Sequence, residues 1–162
     1  MNKETHVRIR KIKAEDLETI VALFKETVHH INAKDYTLEQ LLVWAPHHIH
    51  HSDNRWKSLL DNIAYLIEIN DVIVGFGDTT VEGYLDRLFV HKDYQRRGIA
   101  AALVKKLESL LLLRGVQKIT TEASITAKPF FERIGYLVVK EQNKPRPGGV
   151  TLTNFLMEKQ LG

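Results

Sequence analysis

The chain has 162 residues, enough for a single domain, residues 1–162, with a sizeable core. Apolar residues at 44% and charged residues at 27% describe an ordinary globular composition. A formal net charge of +3, no Lys/Arg run longer than two and no cysteine argue against a nucleic-acid surface, disulfides, thiolate metal sites and a cysteine nucleophile. With no apolar core in the opening Met-Asn-Lys-Glu-Thr-His and no apolar run long enough to cross a bilayer, a cytoplasmic protein without a membrane partner is expected.

Val7 to Ile12 mixes apolar and charged residues and opens the chain as a strand. Ala14 to Ile31 reads as a helix, because Leu17, Ile20, Val21, Phe24 and Val28 form one stripe. Thr37, followed by Glu39 and Gln40, reads as a helix start, and Pro46 ends that short helix. Arg55 to Leu60 is another helical turn. Ile63–Ile69 and Val72–Gly77 are strands joined at Asn70-Asp71, a tight-turn pair. Thr79 to Val90 reads as one further strand, continuing past Gly83. Ile99 to Leu113 is a helix closed by Arg114-Gly115. Then come a strand at Ile119–Ala123, a helix at Thr126–Ile134 and a strand at Tyr136–Lys140. A loop at Lys144–Gly149 and a last strand at Val150–Met157 complete the pattern. Alternating helices and strands through the middle describe a mixed α/β sheet with helices on both faces.

The most informative stretch is Gln95-Arg96-Arg97-Gly98-Ile99-Ala100, between a strand and a helix. A helix N-terminus offers free N–H groups and a positive dipole end, which suit a phosphate. Arg96 and Arg97 add charge, Gly98 lets the backbone approach closely, and the alanines keep the first turn slim. A Walker A loop needs a second Gly and Lys-Ser/Thr, and the dinucleotide fingerprint needs three glycines; neither is present. The stretch reads as a pyrophosphate cradle, or else as a plain strand–turn–helix connection with surface arginines.

Gln95–Ala100 fits the Gln/Arg-x-x-Gly-x-Gly/Ala signature of the GNAT superfamily, the acyl-CoA-dependent N-acetyltransferases. Leu85–His91 resembles the strand before that signature. Ala127-Lys-Pro-Phe-Phe-Glu-Arg-Ile-Gly-Tyr136 resembles the family's downstream motif. The resemblance covers Val7 to Lys159. Asp35 to Pro46 resembles an uncharacterised bacterial subgroup. The resemblance implies the GNAT fold: a mixed central sheet of about seven strands, helices on both faces and a splayed cofactor cleft. It implies acetyl-CoA as cosubstrate, with Leu88, Phe89 and Val90 along the pantetheine arm. Gln95, Arg96, Arg97, Gly98, Ile99 and Ala100 would hold the phosphates, with Ser124, Phe130, Phe131 and Arg133 completing the cofactor site.

Strand alternation puts Glu82, Tyr84 and Asp86 on one face, so Glu82 and Asp86 are candidate bases for the amine's proton. Otherwise Asp86 pairs with an arginine and Glu82 sits in solvent. The family's usual tyrosine acid is replaced by Phe131, which leaves Ser124, or a water on Thr126, to assist the leaving thiolate. Ser124 reads equally as a helix N-cap. Tyr136 reads as packing. Trp44 and Tyr84 are the expected acceptor-binding residues, with Trp56 either a second wall or core. His47, His48, His50 and His51 lack an accompanying carboxylate or cysteine ligand pattern, so no metal is expected. The expected partner is a small-molecule or peptide amine, not nucleic acid; a homodimer stays open. Two other classes are a non-catalytic acyl-CoA-binding or sensory module, motivated by Phe131, and a toxin-like aminoacyl-tRNA acetyltransferase, against which the modest charge argues.

Overall fold

The computed structural model describes residues 4–162, so Met1 to Lys3 of the N-terminal stretch lie outside it. Seven strands form one sheet in the order β1-β2-β3-β4-β5-β7-β6. They are β1 (Val7–Lys11), β2 (Ile63–Ile69), β3 (Val72–Thr79), β4 (Tyr84–Val90), β5 (Lys118–Ser124), β6 (Leu137–Arg146) and β7 (Val150–Gln160). Neighbours are antiparallel except β4 and β5, which run parallel. The helices are α1 (Leu17–His30), α2 (Leu38–Trp44), α3 (Asn54–Asp61), α4 (Ile99–Leu113) and α5 (Lys128–Arg133).

Strand alternation divides the core between the two faces of the sheet. On β2, Leu66 packs with Ile20, Phe24 and Val28 of α1, whereas its neighbour Ile67 packs with Ile99 and Leu103 of α4. Gly75 permits the second contact: a Cβ there would stand 2.8 Å from Ile99 Cγ2. This close approach fixes where the N-terminus of α4 sits relative to β4. Asn70 and Asp71 both adopt positive φ, 50° and 66°, as a two-residue type I′ hairpin requires.

Several boundaries differ from the sequence expectation. The first turn of the expected Ala14–Ile31 helix is 3-10 helix. The expected Thr79–Val90 strand breaks into β3 and β4, because Thr80 to Gly83 forms a turn with Gly83 at φ 104°. Half of the expected Lys144–Gly149 loop is strand, since β6 runs on to Arg146, and Pro147–Gly149 is a 3-10 turn. Pro145 is tolerated there because β6 is an edge strand, and an edge leaves room for a residue without an N–H. Pairing with the start of β5, Lys118↔Gln160 and Ile119↔Lys159, carries β7 three residues beyond Met157, to Gln160.

Candidate active site

The parallel pair β4–β5 meets only at Tyr84↔Thr120 and Leu85↔Thr121. A buried bond from Thr121 Oγ1 to the Leu85 carbonyl, 2.9 Å, marks the last contact before the strands part. At the same point β4 carries a bulge: Thr79 pairs with Leu85 and Asp78 with Arg87, leaving Asp86 as the extra residue. A bulge leaves its extra residue unpaired and re-aims its side chain. From Asp86 to Val90 the β5-facing edge of β4 therefore has no strand partner. The gap opens into a cleft of about 1940 Å³ that reaches α1, α2, α5 and the β6–β7 turn.

At the far end of β4 lies the Gln95–Ala100 loop. Gly98 is the N-cap of α4 in the left-handed region, φ 78° and ψ 9°, and no atom lies within 4 Å of where its Cβ would be. Glycine is needed here for its conformation, and the space beside it is open. The first intrahelical bond runs from Ala102 N–H to the Gly98 carbonyl, so the amides of Ile99, Ala100 and Ala101 are free at the cleft wall. Arg96, itself at φ 61°, is exposed, and Arg97 stacks on Tyr94 at 4.9 Å. Gln95 lines the cleft and also braces the loop. Its Nε2 donates to the carbonyls of Val90, at 2.8 Å, and His91, at 3.3 Å, so it buttresses the loop. Phe89 departs from expectation. Its ring sits among Phe24, Phe76 and Trp44 in the core under α1, so only its backbone lies on the free strand edge. Leu88 packs toward α4.

The expected shared face of Glu82, Tyr84 and Asp86 does not form. Glu82 lies exposed in the turn before β4 and outside the cleft lining. Tyr84 and Asp86 do line the cleft. Asp86 lies 3.6 Å from Arg87, whose guanidinium also binds Asp78 Oδ2 at 2.7 Å and Ser58 Oγ at 2.6 Å. Asp78 is wholly buried, and burial pushes its carboxyl up to about 6 against the pull of Arg87. Burial also raises the Tyr84 phenol well above its ordinary range, helped by the nearby charges of Glu122 and Asp86.

Glu122 is a site residue that the sequence reading missed. It lines the cleft on β5, holding Lys144 Nζ at 2.8 Å to each oxygen, with Asn154 Nδ2 at 3.4 Å. The signal was available: Ile119, Thr121 and Ala123 are the buried positions of β5, which leaves Glu122 and Ser124 on the other face. Ser124 accepts from Ala127 N–H at 3.0 Å, a turn bond just ahead of α5. Thr126 donates to Asp35 Oδ2 at 2.7 Å. Tyr36, also missed, clamps the same corner: its hydroxyl accepts from Ile125 N–H at 2.9 Å and donates to the Thr153 carbonyl at 2.7 Å.

Phe131 is buried between Phe130 and Tyr136, and both it and Phe130 border the cleft. Tyr136 donates to Glu108 Oε2 at 2.8 Å and faces α4. Arg133 is exposed at the end of α5, on the cleft lining. Trp44 is half-buried and edge-on to Tyr36 at 5.3 Å, whereas Trp56 is core at 2% exposure. His29 stacks on His47, and His50 lies against His51. Among the described residues, no three His, Asp or Glu side chains gather into a metal-holding group.

Comparison with known proteins agrees with this geometry. Residues 32–159 match the family model described as the acetyltransferase (GNAT) domain. An uncharacterized N-acetyltransferase, YafP of Escherichia coli K12, is 36% identical over 153 residues, covering 94% of this chain and 95% of its own. A GCN5-related N-acetyltransferase structure from Rhodopseudomonas palustris superposes with a TM-score of 0.87 at 29% identity, covering 95% of both chains. The PaiA N-acetyltransferase of Thermoplasma acidophilum, solved with coenzyme A, shares the fold at a TM-score of 0.75 and 19% identity, covering 96% of this chain and 99% of its own.

Proposed function

The chain belongs to the GNAT acetyltransferase family, and from that premise we propose that it transfers the acetyl group of acetyl-CoA to a primary amine by direct attack within a ternary complex. The observation that carries this reading is the break between β4 and β5, with a phosphate-sized cradle at one end and carboxylates at the other. Bound acetyl-CoA supplies a thioester, whose C–S bond breaks as the amine nitrogen forms the new C–N bond. The open space at Gly98 and the free amides of Ile99, Ala100 and Ala101 fit the pyrophosphate, with Arg96 and Arg133 on the same lining and Arg97 held over Tyr94 beside it. The unpaired β4 edge from Asp86 to Val90, with Leu88 and Phe89 between, suits the amides of an extended pantetheine arm, as a strand added to a sheet. Phe130 and Phe131 supply an apolar flank.

An amine must lose a proton as it attacks. Asp86, re-aimed by the bulge, and Glu122 across the gap are the acceptors in reach, directly or through water. Glu82 drops out because the turn holds it outside the cleft. The leaving thiolate needs little help, since a thiol's pKa is only about 8.5. Ser124 uses an oxygen lone pair for Ala127, which leaves its proton free to donate there. Trp44 and Tyr84 face the acceptor. With no cysteine in the chain, an acyl-thiol relay has no carrier. Initial rates measured against both substrates test the reading: intersecting lines are expected, and parallel ping-pong lines would overturn direct attack.

A further inference from the structure

The acceptor half of the cleft carries more positive charge than its own carboxylates neutralise. Asp86 and Glu122 line the floor, Asp86 beside Arg87, which it shares with Asp78, and Glu122 against Lys144. Around the lip stand Lys34, Arg55 and Arg146, which also line the cleft. None of these three has a carboxylate oxygen within 4.0 Å among the described residues, although twelve other ion pairs meet that distance.

Arg55 is the most committed of the three. Its guanidinium lies over the rings of Phe24, at 5.7 Å, and Trp56, at 5.4 Å. Arg87 lies over the same indole at 5.5 Å. The charge of Arg87 is met by Asp78 and Asp86, whereas Arg55 has only Asp53, beyond ion-pair distance. Partial burial first, and Arg87 second, disfavour the Arg55 charge. A planar cation held on aromatic faces, with an edge open to the cleft, suits bidentate capture of a carboxylate. Arg87 also sets the spacing: one guanidinium both approaches Asp86 and donates to the Arg55 carbonyl. The group that would take the amine's proton and the residue that would take an anion are thus one arginine apart.

We propose that the acceptor is a small amine that also bears a carboxylate, with Arg55 as the residue that selects it. The amine end points to the Asp86–Glu122 floor and the carboxylate to Arg55, with Arg146 and Lys34 adding positive field at the mouth. The inference rests on the amine-transfer reading but is tested apart from it by binding. Calorimetry on the CoA-bound enzyme compares N-acetylphenylalanine with its carboxamide. Turnover then compares phenylalanine, phenylalanine amide and phenethylamine. The carboxylate is expected to bind about tenfold or more tightly than the amide, and to be preferred in kcat/KM by a similar factor through KM. Arg55→Ala should bring both ratios toward one, and Arg55→Lys should restore part of them. Equal binding of acid and amide, or a preference unchanged in Arg55→Ala, would overturn the proposal. Turnover of phenethylamine without a carboxylate preference would sink this inference alone. A carboxylate preference in binding that Arg55→Ala removes, with none of the three amines turned over, would support the Arg55 anion site and count against amine transfer instead.

Discussion

Arg10 and Arg55 are both arginines drawn partly out of water, one at the β1 edge of the sheet and one at the mouth of the cleft. Arg10 is met on every side by its own chain. Its Nη1 and Nη2 each donate to Asp16 at 2.8 Å, and its Nε donates to Glu68 at 2.9 Å. Arg8 adds a further bond to Glu68 at 2.9 Å. These contacts hold Asp16 and Glu68 below the usual carboxylate range and tie the start of α1 to β1 and β2. The Arg55 guanidinium meets rings and a second cation, with Asp53 beyond ion-pair distance. The difference separates two uses of charge. A closed network stabilises the fold, and an open cation can be completed only by something that binds.

If that contrast is right, changes in the closed network should cost stability, and changes in the cleft should cost binding or rate. The largest effect is expected from Arg10→Ala. It leaves Asp16 with the Lys13 amide and Glu68 with Arg8 as their remaining partners, in side chains only 7% and 9% exposed, so unfolding stability should fall by about 3 kcal/mol. Denaturant titration measures this, and acetyl-CoA affinity of the folded fraction should not move. Gly98→Asp should do the reverse. It puts a negative charge where the proposed cradle would hold phosphate, at an expected cost of at least a few kcal/mol of acetyl-CoA affinity by calorimetry. Positive φ at that position adds only about 1 kcal/mol of strain to the fold. Full affinity in a folded variant would remove the cradle. Asp86→Asn and Glu122→Gln divide the base role between them. The true base should lose on the order of 10²-fold in kcat, with the acidic limb of the pH–rate profile altered. If neither variant loses rate, the proton leaves by another route.

Titration sharpens the contrast, because paired carboxylates in the two regions depart in opposite directions. Asp16 and Glu68 are depressed in the folded state by Arg10. Their contribution is whole above the ordinary carboxylate range and is lost as pH falls from that range down through their depressed folded values. Asp78 is raised by burial to about 6, so the folded state keeps a proton that the unfolded chain has released. Stability should therefore fall as pH rises from about 4 to 6, by no more than about 3 kcal/mol, and level off above that. Chemical denaturation across this window, with Asp78→Asn as the control lacking the slope, measures it. Ser124→Ala is expected to be the mildest of these changes, less than about tenfold in kcat, because a thiolate leaves readily unaided. A dead Ser124→Ala would reverse the assignment of acid and base.

Features whose parts are contiguous were legible in advance. The strand–loop–helix around Gly98 is a local object, in which the loop's charge, the glycine and the helix start follow one another in sequence. The Asn70-Asp71 hairpin and the Gly115 helix end are local in the same sense. The mixed sheet with helices on both faces followed from the alternation of periodicities. The β4 face was misread because alternation assumes an uninterrupted strand. Gly83 ends that strand on one side of Tyr84, and the bulge at Asp86 shifts the count on the other. Glu122 was passed over although its strand alternates cleanly, because nothing in its neighbourhood of sequence says that the strand edge faces a gap.

By itself, then, the sequence determined the family, through the resemblance of its motifs, and the kind of sheet and the glycine-capped helix start, through side-chain periodicity and the backbone needs of neighbouring residues. Tertiary structure alone decided which charges are satisfied. Lys144 reaches Glu122 from 22 residues away, and Tyr36 closes on Thr153 across 117. Arg87 joins Ser58, Asp78 and Asp86, while Arg55 beside it finds no acid within 4.0 Å among the described residues. Whether a charge holds the fold or faces the cleft depends on what packing brings within a few ångströms, because Coulomb attraction and desolvation act through space and not along the chain.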